Sequence, residues 1–287
     1  MNQKINDLYQ DYKHGGMDRR SFLGKLAVLA GGTAAAVNLL PILEKNQAYA
    51  SIPAVGDDDL HTSMIEYATE TGKMSAYMAR PKVDRKLPAV IVIHENKGLQ
   101  PHIQDVTRRM AREGFVAIGP DALSPIWGTP EDNVDKARSL MRELNSESTT
   151  KDFVAAVAYL KTNPLTTGKV GCTGFCWGGA MTNQVAVNAP DLSAAVPYYG
   201  SQPAPEDVPK IKASMMMHYA GEDERINSRI PEFEEALKKA SIEYEVFIYK
   251  GAKHAFNNDA NPERYHEEAA KLAWKRTIGF FKDKLEP

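Results

Sequence analysis

The hexapeptide Gly174-Phe175-Cys176-Trp177-Gly178-Gly179 constrains this chain more than any other segment. It has the form Gly-x-nucleophile-x-Gly, which marks a sharp turn from a strand into a helix, with cysteine where serine usually stands. The flanks supply the context such a turn requires. Residues 168–173, Gly-Lys-Val-Gly-Cys-Thr, read as a short buried strand, and residues 180–189 read as the helix that follows. Glycines on both sides of Cys176 let the backbone adopt a strained conformation and let helix and strand approach closely, so the thiol projects from the end of a sheet. A helix N-terminus at Cys176 favours a thiolate, and the pattern points to acyl chemistry. The competing reading is an ordinary buried thiol, since free cysteine is among the most buried residue types. Cys172, inside the strand, takes that second reading.

The rest of the pattern alternates strand and helix. Residues 87–93, Leu-Pro-Ala-Val-Ile-Val-Ile, form the near-continuous apolar run of a central parallel strand buried on both faces. Strands are expected near 62–68 and 74–80, as a hairpin about Thr71-Gly72, and near 88–93, 115–119, 168–173, 194–199, 213–219 and 244–249. Helices are expected near 102–113, 131–162, 179–189, 231–240 and 263–284. Ser148–Lys151 should interrupt the second helical region and Asn163-Pro164 should close it. This order predicts an α/β domain with a doubly wound, mostly parallel sheet and helices on both faces.

A thiol nucleophile needs a base and a group that orients the base, and sheets of this kind keep their sites beyond the strands' C-terminal ends. The apolar run 213–219 empties into Glu222, Asp223 and Glu224. Asp223 is the choice among the three; Glu222 and Glu224 read as solvated loop charges, although position alone favours Asp223 only slightly. Residues 244–249 run into a loop carrying His254, which alone of the seven histidines follows both the acid loop and a strand directly; His266 reads as part of the last helix. The strand 87–93 ends in His94-Glu95-Asn96. Glu95 there could take the thiol proton, and the Asn96 amide could join that of Trp177 in facing a developing oxyanion. Glu95 also reads as a solvated acid, and His94, Glu95 and His102 as a metal set, although no recognised zinc spacing is present. No metal and no cofactor is expected. Trp127, Trp177, Tyr198 and Tyr199 are candidates for the pocket, with core packing as the alternative.

Together, Ile93-His-Glu95-Asn, Gly174-Phe-Cys176-Trp-Gly-Gly179, Gly221-Glu-Asp223 and Gly251-Ala-Lys-His254-Ala-Phe256 resemble the dienelactone hydrolase (carboxymethylenebutenolidase) family of α/β-hydrolases over residues 60–285. The resemblance implies an ester or lactone hydrolase of the α/β-hydrolase fold. It implies Cys176 as nucleophile, His254 as base and then acid, Asp223 as its orienter, Glu95 as partner of the resting thiol, and the amides of Asn96 and Trp177 as the oxyanion hole. Family members hold a substrate carboxylate with two arginines. The matching segments here, Pro120-Asp-Ala-Leu-Ser-Pro-Ile-Trp127 and His254-Ala-Phe-Asn-Asn258, contain none. Acyl transfer on the same groups and a non-catalytic, ligand-binding relative are the alternative readings.

The first fifty residues tell a separate story. Asp18-Arg19-Arg20-Ser21-Phe22-Leu23 precedes an apolar stretch, Leu26 to Leu40, and then Gln47-Ala48-Tyr49-Ala50. This reads as a twin-arginine export signal cleaved near Ala50, with the translocation machinery as a transient partner and the periplasm as destination. A chance Arg-Arg pair or a retained anchor is the alternative. Cleavage leaves residues 51–287 as one α/β domain behind a polar lead-in at 51–59. The formal net charge of -2 gives no basic field, so nucleic acid is not an expected partner, and a small-molecule ester or lactone is. In an oxidising compartment Cys172 and Cys176 should still stay unpaired, because a strand end and a turn hold them too far apart.

Overall fold

Leu87–Ile93, the most apolar run of the chain, forms β3, and all seven of its residues are buried. Its side chains alternate between two cores. Val90 and Val92 face one, with Ile103, Val106 and Met110, whereas Ile91 and Ile93 face the other, with Phe153 and Val157. Fully burying a branched side chain of this size stabilises a fold by about 1.5–3 kcal/mol, so β3 anchors both layers. The computed structural model describes residues 8, 12, 17–30, 32, 59–70, 72–130 and 132–286, which divide into one unit within 1–54 and another within 55–287.

In the larger unit eight strands form a single sheet in the order β1-β2-β4-β3-β5-β6-β7-β8. β1 (Leu60–Thr69) and β2 (Gly72–Pro81) make an antiparallel hairpin, and β2 pairs antiparallel with β4 (Val116–Pro120). Every other pairing is parallel, through β5 (Thr166–Phe175), β6 (Ala194–Tyr198), β7 (Ser214–Ala220) and β8 (Tyr244–Tyr249). This is the mostly parallel, helix-covered sheet of an α/β-hydrolase. β3 lies between β4 and β5, so the chain winds outward from it in both directions. The crevice past its C-terminal end is therefore the topological switch point, where such sheets bind their ligands.

Among the described residues, seven α-helices of eight residues or more and one α-helical turn are divided between the smaller and larger units. In the smaller unit α1 (Arg19–Ala30) starts at Asp18, whose Oδ1 accepts from the backbone N–H of Arg20 and Ser21, each at 2.9 Å. Among the described residues of that unit, Phe22 and Leu26 are buried against Leu8, Tyr12 and Met17. The proposed cleavage site near Ala50, most of the apolar stretch, and residues 51–58 of the lead-in lie outside the described residues, as does Thr71 of the hairpin turn. No described helix is long and apolar enough to cross a membrane.

In the larger unit α2 (Pro101–Arg112) and α8 (Glu267–Leu285) contribute to one core, and α4 (Ser146–Thr162), α5 (Trp177–Asn188) and α7 (Ile230–Lys239) to the other. The long helical region expected over 131–162 is split at Leu144-Asn145, into α3 (Val134–Glu143) and α4, rather than at Ser148–Lys151. Asn145 causes the break: its Oδ1 accepts the Ser148 N–H at 3.0 Å and caps α4. His266, expected inside the last helix, instead caps it by accepting the Ala269 N–H. The single turn α6 (Glu224–Asn227) follows β7 and was not expected from the sequence.

Candidate active site

Cys176 stands at the point where β5 turns into α5, with φ 58° and ψ -111°. A non-glycine residue in the left-handed region costs on the order of 1–3 kcal/mol and persists only where its surroundings impose it. Here they do. The Cys176 N–H is held by the Tyr198 carbonyl at 3.1 Å, and α5 lies almost against the neighbouring strands. A Cβ on Gly178 would come within 2.4 Å of the His94 carbonyl oxygen, and one on Gly179 within 2.3 Å of the Tyr198 oxygen. Only glycine fits at these two positions, and the close approach leaves the half-buried thiol at the sheet edge.

The acid and histidine loops meet beside it. Gly221 N–H donates to the Tyr249 carbonyl at 2.8 Å and Glu222 N–H to that of Ala252 at 3.0 Å, so the chain segments leaving β7 and β8 are joined backbone to backbone. Across this seam His254 Nδ1 donates to Asp223 Oδ2 in a very short hydrogen bond. A carboxylate can only accept, so Nδ1 carries the proton and Nε2 keeps its lone pair for use as a base. Asp223, the acid that meets His254, is buried, whereas Glu222 and Glu224 are exposed. The Tyr199 ring packs 5.0 Å from the imidazole, centroid to centroid.

Glu95 and Asn96 follow β3. Ile93 pairs with Gly174 in the parallel register, so Glu95 and Cys176 lie two residues past the same rung on neighbouring strands. The Glu95 carboxylate accepts a hydrogen bond from Asn258 Nδ2 at 2.9 Å. Asn96 is exposed on the same loop, and the Trp177 N–H points to the Cys176 sulfur. His94 is fully buried. Its Nε2 accepts the Ala122 N–H at 3.1 Å, which leaves Nδ1 to donate to the Glu95 carbonyl at 2.6 Å, and its ring stacks on Trp177 at 5.4 Å. Burial lowers the pKa of this imidazole, in keeping with a neutral ring engaged on both sides. Among the described residues no three of His, Cys, Asp and Glu cluster as metal ligands.

The thiol itself is pushed up to about 11, chiefly by burial and next by the Glu95 carboxylate, while the Trp177 N–H and the Arg225 guanidinium pull the other way. The expectation that a helix N-terminus would favour a thiolate is overridden in the resting site by desolvation and a neighbouring negative charge. Cys172 is fully buried, pushed up to about 12 by desolvation, with its sulfur 3.8 Å from Thr182 Oγ1. Both cysteines are free.

The four aromatic candidates are dispersed. Trp177 stacks beside the thiol as described. Tyr199 lies near the thiol, at φ 37°, and is buried. Tyr198 is buried in the interior with its hydroxyl 2.6 Å from Thr277 Oγ1. Trp127 is 80 % exposed and lines a cleft of about 510 Å³ with Thr129, Lys136 and Leu140. That loop is tied to the Glu95 loop by Thr129, whose Oγ1 accepts the Leu99 N–H at 2.9 Å and donates to Asp121 at 2.6 Å. Two residues around the thiol were not singled out from the sequence. Arg225, two positions past Asp223, is exposed and makes no ion pair among the described residues. Asn258 meets Glu95 from 163 residues away.

The profile of the Dienelactone hydrolase family matches residues 74–285. A "putative carboxymethylenebutenolidase" of Salmonella typhi is 34 % identical over 246 residues, covering 80 % of this chain and 85 % of its own. One from Saccharolobus solfataricus is 32 % identical and covers 76 % of this chain and 97 % of its own. Among solved structures, a "putative dienelactone hydrolase" of Klebsiella pneumoniae superposes with a TM-score of 0.68 at 29 % identity, over 77 % of this chain and 98 % of that one. The sheet, the motif order and these likenesses agree: the chain belongs to the dienelactone hydrolase family, and it is an ester or lactone hydrolase.

Proposed function

We propose that this hydrolase works through Cys176, His254 and Asp223 with a thioester intermediate. What carries the reading is the strained, glycine-enclosed Cys176 at the same sheet edge as a His254 already oriented by Asp223. In the first half-reaction the thiol proton passes to His254 Nε2, directly or by way of Glu95, and the sulfur attacks the ester or lactone carbonyl carbon. The carbonyl electron pair moves onto oxygen, where the amides of Trp177 and Asn96 receive it. Collapse breaks the carbon–oxygen bond and the leaving oxygen takes a proton from His254. In the second half, His254 Nε2 takes a proton from water, hydroxide attacks the thioester, and the thiol is restored. A high resting pKa suits such a site, because the thiol stays protonated until substrate alters its surroundings.

Acid quenching of the full chain during turnover of p-nitrophenyl acetate is expected to trap one acetyl group, mapped by peptide mass to the segment containing Cys176. Steady turnover in which Cys176 carries no acyl group, even in the earliest quenched samples, would exclude the thioester route.

We further propose that residues 1–50 are an export signal and that the hydrolase acts in the periplasm. The Arg19-Arg20 pair at the start of a helix with an exposed Arg20 supports this. Replacing both arginines by lysine is expected to leave a full-length precursor in the cytoplasm, detected by fractionation and immunoblotting; normal export of that variant would contradict the route.

A further inference from the structure

We propose, on the reading of Cys176 as nucleophile, that Asn258 is a positioning residue: it fixes the Glu95 carboxylate beside the thiol, so the loop that carries His254 also sets how readily Cys176 ionises. The hydrogen bond from Asn258 Nδ2 to Glu95 Oε2 is 2.9 Å, and Asn258 is 6 % exposed. The amide orientation is determined on the other side as well. Asn258 Oδ1 accepts the Ala260 N–H at 3.0 Å, so only the NH2 group is left to face the carboxylate.

The loop cannot follow Glu95 if that side chain moves, because the next residue is tied down. Asp259 Oδ2 accepts from Arg109 Nη1 at 2.7 Å, and Asp259 Oδ1 lies 3.4 Å from His102 Nδ1. Arg109 in turn pairs with the fully buried Asp105. These partners sit on α2, the helix that begins directly after the Glu95 loop. Asn258 therefore reaches Glu95 from a loop braced against the same helix, and the bond is held at both ends.

The groups that act on the thiol are few. Glu95 approaches from the loop after β3, Asp223 from the turn after β7 with His254 bonded to it, Arg225 from α6, and Tyr199 from the end of β6. Glu95 itself is faced by His94, His102 and Tyr199. Of the negative charges Glu95 acts most strongly on the thiol, and opposes its ionisation. A carboxylate kept in place by Asn258 adds to burial, the larger effect, in keeping the thiol protonated at rest. Once the amide is removed, the carboxylate can turn away and its charge goes with it.

The test compares the full chain with Asn258→Ala, Glu95→Gln and the double variant, measuring the rate of Cys176 alkylation by iodoacetamide across a pH series and locating the label by peptide mass. Asn258→Ala and Glu95→Gln should each lower the alkylation midpoint by about one pH unit, as loss of a neighbouring like charge does. The double variant should match Glu95→Gln alone, because Asn258 acts only through Glu95. Asn258→Ser retains a shorter donor and covers a failure of the alanine variant to fold; it should shift the midpoint the same way by less. An unchanged midpoint in a folded Asn258 variant, or a further shift in the Glu95→Gln background, overturns the proposal. Turnover surviving in Cys176→Ala would instead overturn the reading beneath it, whatever the alkylation profile.

Discussion

Cys176→Ala is expected to lower hydrolysis of p-nitrophenyl acetate by about 10⁵-fold or more while leaving a folded protein. Removal of the nucleophile from a triad that acts as a unit costs nearly all of its catalysis, about 10⁶-fold in the best-studied serine case. The fold should tolerate the change. Alanine deletes one atom from a half-buried side chain, and the backbone at φ 58° is imposed by α5 and the Tyr198 carbonyl rather than by the sulfur. A shift in unfolding free energy of no more than about 1 kcal/mol is expected from so small a truncation. Rate and thermal unfolding measured on the same preparation separate the two effects. Turnover near the wild-type level would remove Cys176 from the mechanism, and loss of the folded state would show that the sulfur supports the elbow.

Asp223→Asn is expected to lower kcat by about 10⁴-fold with little change in stability. The substitution keeps the shape but replaces an acceptor-only carboxylate by an amide that can donate. If the amide NH2 faces the ring, His254 Nδ1 must accept, Nε2 carries the proton, and the imidazole can no longer take one from a nucleophile or water. The same change in a serine protease costs about this factor for this reason. The measurement is kcat as a function of pH for the variant and the parent. A loss below about tenfold would mean that the imidazole is oriented by something other than Asp223, with the Tyr199 ring and the joined β7 and β8 loops as the remaining constraints.

What the sequence made legible were the features written in local pattern. The apolar run at 87–93, the elbow hexapeptide, and the strand-then-loop order that sets Asp223 and His254 at one edge all depend on periodicity and on glycines with a steric reason to be there. The α3–α4 break was displaced because a side-chain cap at Asn145 outweighs a run of Ser and Thr that a helix can carry in its first turn. The His94 ring, open to a metal reading on composition, is occupied at both nitrogens by backbone partners that no local pattern reveals. Asn258 and Arg225 escaped notice for the same reason. Their significance lies in meeting Glu95 and approaching Cys176 in space, and a lone asparagine or arginine on a loop carries no spacing signal. The thiol's protonated rest state was likewise hidden, because burial is a property of the assembled edge.

The proposed chemistry draws only on segments leaving the C-terminal ends of the parallel strands. The opposite rim, where the exposed residues Lys82 to Lys86 link β2 to β3, contributes none of it. A surface tether or an inserted affinity tag at that link would hold the molecule by its back, with the thiol edge turned to the medium, so immobilisation and reshaping of the substrate side become separate engineering problems.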